Sequence, residues 1–74
     1  MIYRVYYKQK TADQDNADLE TMVLVKWNTP SPPPLDKAIA LLQRLNGKNF
    51  IESSVRIGKR RSMSEPGLRV YPLE

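Results

Sequence analysis

Residues 29–34 read Thr-Pro-Ser-Pro-Pro-Pro, so four of six consecutive positions have no backbone N–H to donate. Neither a helix interior nor a central strand passes through such a run. It is predicted to be an extended, polyproline-type connector that divides the chain. Directly after it, Leu35, Ala38, Ile39, Leu42 and Leu45 recur at three- and four-residue spacing. Proline suits the first helical turn, Asp36 sits where the helix dipole favours an anion, and Asn46-Gly47 supplies a stop. The spacing predicts one amphipathic helix of about three turns, and its apolar stripe must cover a sheet face.

The rest of the chain reads as strands. Residues 1–8 alternate, with Tyr3, Val5 and Tyr7 on one side and Ile2, Arg4, Tyr6 and Lys8 on the other. Residues 20–27 form a nearly continuous apolar run rich in β-branched side chains, which predicts a central strand with Val23, Val25 and Trp27 opposite Met22, Leu24 and Lys26. Between these two strands residues 9–18 lack an apolar period and contain Asp13-Gln14-Asp15-Asn16, the composition of a solvated loop. Residues 49–57 alternate again, with Ile51, Val55 and Ile57 on one side. Residues 58–67 are expected to form a glycine-bounded basic loop, and residues 68–73 a closing strand that Pro72 confines to an edge. The expected fold is α+β: a single domain over residues 1–74 in ββαββ order, with a small, mostly antiparallel sheet of about four strands and one helix packed on one face.

A chain of 74 residues packs one modest core and no deep substrate cavity. With no Cys and no His it also lacks thiolate nucleophiles, disulfides, the usual zinc ligands and imidazole bases. No metal site or cofactor is expected. Asp13, Asp15 and Glu20 do not make a calcium loop, because the turn glycine and the bidentate acid at set spacing are missing. A binding protein rather than an enzyme is the expected class.

The net charge of +4 is unevenly spread. Residues 11–25 hold four acids and no base, whereas residues 44–61 hold six bases and only Glu52. Such a dipole steers a protein onto an acidic surface or a phosphate backbone. No apolar run spans a bilayer and the N-terminus lacks the pattern of a signal peptide, so a cytoplasmic monomer is expected.

Two groups of residues are candidates for contact. Arg4, Tyr6 and Lys8 place a ring and two long cations at spacing two on an uncovered strand face, a composition that dominates interface energetics. Arg56, Lys59, Arg60, Arg61 and Arg69 are candidates for contacting nucleic acid or an acidic surface, since guanidinium groups pair with phosphates and carboxylates alike. Against the first stands an ordinary outer strand face, and against the second a solvated hairpin tip. The string Arg61-Ser62-Met63-Ser64-Glu65-Pro66 would suit a phosphoserine adaptor if Ser64 were modified, and Pro30-x-x-Pro33 a proline-binding domain. Turn chemistry and a linker before the helix account for both strings.

The opening Met1-Ile2-Tyr3-Arg4-Val5-Tyr6-Tyr7 and the closing Leu68-Arg69-Val70-Tyr71-Pro72-Leu73-Glu74 resemble the first and last strands of the epsilon accessory subunit of Gram-positive RNA polymerase. The fold is similar to small bacteriophage proteins that dock on host RNA polymerase. The resemblance implies a phage-type transcription regulator that occupies a polymerase surface and alters promoter use or termination without catalysis. It makes Arg4, Tyr6 and Lys8 polymerase contacts and leaves the basic residues to touch nascent RNA, promoter DNA or an acidic polymerase patch. The alternative is an autonomous small basic RNA- or DNA-binding domain. The proline run and Lys59-Arg60-Arg61 depart from the subunit's pattern.

Overall fold

Alternation in the first eight residues and the apolar run after residue 19 give two adjacent strands, β1 (Ile2–Gln9) and β2 (Glu20–Lys26), paired antiparallel. After the proline segment come one helix, α1 (Leu35–Asn46), a long strand β3 (Phe50–Ser62) and a short strand β4 (Val70–Pro72). This computed structural model describes residues 1–10, 20–63 and 65–73. The predicted acidic loop with Asp13, Asp15 and Asp18, together with Ser64, lies outside the described residues.

The sheet is four-stranded and mixed, in the order β3-β1-β2-β4. β1 pairs antiparallel with both neighbours, while β2 and β4 are parallel. β2 and β3 therefore run in the same direction with β1 between them, and the proline segment and α1 form the long crossover that such strands need. β2 is interior, as expected, but shares that place with β1. β4 lies at an edge, where Pro72 is tolerated.

The helix covers the face that carries Tyr3, Val5 and Tyr7. These three pack with Val25, Ala38, Leu41, Leu42, Phe50 and Val55 in one buried cluster, and Tyr7 meets Phe50 edge to face at 6.3 Å. Leu42 is fully enclosed, whereas Leu35 and Leu45, predicted for the stripe, stand half exposed, and Leu41 is buried in their place. The buried stripe runs through the middle of the helix, and its two end leucines overhang the sheet. Gly47 ends the helix at φ 61°, donating its N–H to the Gln43 carbonyl at 2.9 Å. Asn46 then reaches back to the Tyr7 hydroxyl at 3.3 Å.

β3 departs most from expectation. It continues through Gly58, Lys59, Arg60 and Arg61 to Ser62, so the basic residues belong to a strand and not to a loop. Its register with β1 shifts twice. Tyr6 pairs with Arg56 but Lys8 pairs with Ile51, so Tyr7 alone stands against residues 52–55. An odd number of extra residues reverses the facing of everything beyond it. Phe50 and Val55 both enter the core for this reason, and Ile51, predicted to share a side with Val55 and Ile57, lies on the opposite face. Ser54 fills the irregularity: its Oγ accepts the Lys8 N–H at 2.8 Å and donates to the Ile51 carbonyl.

β3 and β4 occupy opposite edges, so the chain joining them must cross a face or pass around an end. It crosses the face away from the helix, where Arg4 touches both Ser62 and Glu65. Leu24, on that outer face, is only 1% exposed, with Leu68 and Arg69 beside it. The expected closing strand over residues 68–73 is thereby reduced to Val70–Pro72.

Candidate binding surface on the outer sheet face

The outer face of the sheet is built from the residues that alternation turns away from the helix. On β1 these are Ile2, Arg4, Tyr6 and Lys8, and on β3 the pairing of Arg56 with Tyr6 places Arg56 among them. A shallow groove of about 680 Å³ runs along this face between Arg4, Tyr6, Arg56, Lys59, Arg60 and Glu65. Gly58 lies at its floor, where a Cβ would make ordinary contacts with the Arg4 Cβ at 3.7 Å and the Tyr6 ring at 3.9 Å.

Two of the four cations are held by carboxylates. Arg56 donates from Nε and NH2 to Glu20 at 3.0 and 2.9 Å, and its guanidinium carbon sits 4.1 Å from the centre of the Tyr6 ring. Bidentate pairing and ring stacking together fix a side chain that would otherwise sample many rotamers. The hydrogen bond from Arg56 holds the Glu20 carboxyl below its usual range, with smaller help from the charges of Arg56 and Lys8. The same bond raises the Arg56 pKa. Arg4 donates from Nε to the Ser62 hydroxyl at 3.2 Å and pairs more loosely with Glu65 at 3.4 Å. Lys59 and Arg60 are exposed and make no ion pair among the described residues.

The structure thus gathers Arg4, Tyr6, Arg56, Lys59 and Arg60 on one surface. Lys8 shares the face but lies outside the groove, opposite Glu20. Arg69 stands apart, 5.2 Å over the Tyr71 ring beside β4. Arg61 is opposite Tyr3 in the strand register.

A second recess adjoins the first and shares Ser62 and Met63 with it. It has a volume of about 620 Å³ and is lined by Met1, Ile2, Met63 and Val70 together with Lys26 and Ser62. Sequence reasoning missed this recess, because the β3–β4 crossing that brings Met63 and Val70 to Ile2 is a property of strand order. The prominence of Met63, 83% exposed, is its clearest mark.

No cluster of three acidic side chains suited to a metal ion occurs among the described residues, and none of their helices is long and apolar enough to cross a membrane. Comparison of the chain with protein-family models, curated proteins and solved structures gives no match.

Proposed function

We propose that this chain is a non-catalytic docking protein that binds bacterial RNA polymerase through its outer sheet face and thereby alters initiation or termination. The observation that supports this reading most directly is the convergence of Arg4, Tyr6, Arg56, Lys59 and Arg60 in one groove. Arginine and tyrosine carry much of the energy in protein interfaces, and a cationic groove complements an acidic partner surface. The choice of polymerase as partner rests on the resemblance of the terminal strands, and the first of these carries Arg4 and Tyr6 into the groove. Binding alone suffices for regulation, because a ligand that prefers one polymerase state shifts the equilibrium toward it. A small monomeric phage product working in the host cytoplasm fits this role.

An autonomous nucleic-acid-binding domain is the second reading, favoured by Lys59 and Arg60, which have no carboxylate partner among the described residues. Biolayer interferometry on immobilised bacterial core polymerase and holoenzyme, alongside labelled RNA and DNA over a salt series, separates the two. Polymerase capture that falls about tenfold in the Lys59→Ala/Arg60→Ala double variant supports docking. Failure to bind either polymerase form overturns it. A steep salt slope with nucleic acid alone points to the second reading.

A further inference from the structure

We propose that the outer face is a two-part receptor for an acidic protein segment carrying one aliphatic side chain. That side chain enters the recess between Met1, Ile2, Met63 and Val70, and neighbouring carboxylates reach Lys59 and Arg60. The inference rests on the docking reading and names the chemistry of the segment recognised.

The recess and the groove share Ser62 and Met63, so an apolar anchor and an adjacent anion are served by contiguous surfaces. Methionine suits the wall of such a site, because its unbranched, polarisable side chain adapts to an incoming aliphatic group. Met63, 83% exposed, is open to contact by a partner. The main chain of Met1 is tied to the end of β2: its carbonyl accepts the Trp27 N–H and its amino group donates to the Trp27 carbonyl, both at 2.7 Å. The recess thus lies between a methionine whose main chain is anchored and one whose side chain stands open to a partner.

Charge selects the rest of the segment. Glu20 and Glu65 already hold Arg56 and Arg4, so Lys59 and Arg60 are the groove cations whose charge has no counterpart among the described residues. A nucleic-acid strand matches the charge but not the rings. Tyr3, Tyr7 and Phe50 are buried, Trp27 and Tyr71 pack against the core, and Arg56 covers Tyr6. Bases bound to a single strand need open aromatic faces to stack on, and among the described residues none of these rings offers one in the groove.

Methyl-labelled methionine NMR on the full chain tests the proposal, because its three methionines divide cleanly. Met1 and Met63 line the recess, whereas Met22, the cross-strand partner of Tyr6 on the same face, lies outside it. The probes are short glutamate-rich peptides with a single leucine scanned through every position, the same peptides with alanine for leucine, and a single-stranded RNA. The expected result is saturable shifts of the Met1 and Met63 methyls with at least one leucine peptide, shifts that depend on the leucine at Met1 and Met63 but not at Met22, and affinity about tenfold weaker for the alanine peptide. Met63→Ser, at an exposed position, should remove most of the leucine-dependent gain and leave the alanine peptide unaffected. Independent, additive effects of the leucine and Met63 changes overturn the proposal. So do unmoved Met1 and Met63 methyls across the whole scan, or RNA binding more tightly than every peptide. Polymerase capture that persists without these shifts removes the receptor and leaves the docking reading standing. Methyl shifts without polymerase capture do the reverse.

Discussion

Arg56 lies with its guanidinium carbon 4.1 Å from the centre of the Tyr6 ring and reaches across that ring from β3 to hold Glu20 on β2. Three strands are joined by one side chain on the face away from the helix. The ring holds the guanidinium over the sheet, and the two bonds to the carboxylate fix its rotation. Charge in the groove is therefore carried by an ordered side chain as well as by the freer Lys59 and Arg60.

A guanidinium stacked this closely is shielded by the ring current. The Arg56 Nε–H and Cδ protons should resonate upfield of exposed arginines in an NMR spectrum. Tyr6→Phe should preserve that shift and Tyr6→Leu should abolish it while the chain stays folded. Unshifted Arg56 protons in the unaltered protein would show that the stack does not persist in solution.

The Arg56–Glu20 pair also sets a pH dependence. Glu20 has its pKa depressed in the folded chain, first by the hydrogen bond from Arg56, so it binds fewer protons folded than unfolded. Its contribution is present above the ordinary carboxylate range, about pH 4–5, and is lost as pH falls through the lowered folded value. The Tm difference between the unaltered chain and Glu20→Gln should therefore be largest near neutrality and shrink in acid. Both groups are well solvated, so the difference should be small and salt-sensitive. A difference that grows on acidification would contradict the pairing.

Helix phase is checked by two leucines three residues apart. Leu42 is enclosed by the sheet and Leu45 is 41% exposed. Leu42→Ala should cost about 2–5 kcal/mol in urea unfolding, and Leu45→Ala about 0.5 kcal/mol or less. Equal costs would mean that the helix is rotated from the position described.

How much of this was legible in the sequence depends on how local the cause was. The facing of Tyr3, Val5 and Tyr7 follows from two-residue alternation, and the helix from the prolines before it, its apolar spacing and Gly47. The core contribution of Phe50 and the strand character of Lys59 and Arg60 were not legible, because both depend on how β3 accommodates β1. A glycine beside three bases has turn composition, and only pairing with an interior strand makes it extended. Arg4, Tyr6 and Arg56 could be named as candidates. The outward facing of Arg56 follows from alternation with Val55 and Ile57, but its stacking on Tyr6 could not be read, since only the pairing of β3 with β1 brings the two residues opposite one another. The apolar recess was hidden for the same reason, being made by a crossing between opposite sheet edges.

Ser54 sits at the register shift between Tyr6 and Lys8. Its hydroxyl accepts the Lys8 N–H and donates to the Ile51 carbonyl, satisfying two backbone groups that the irregular pairing leaves without strand partners. Ser54→Ala removes both bonds and leaves a partly buried N–H unsatisfied, which should cost about 1–3 kcal/mol. The Lys8 amide should exchange with solvent faster, while the amides of β2 remain protected. If β3 instead relaxes by slipping one residue, Arg56 turns from the outer face toward the helix. The upfield Arg56 signals and the groove would then be lost together. A Ser54→Ala protein with unaltered stability and unaltered Lys8 exchange would show that the register is held by the flanking pairs of Tyr6 with Arg56 and Lys8 with Ile51, and that the serine only occupies the space between them.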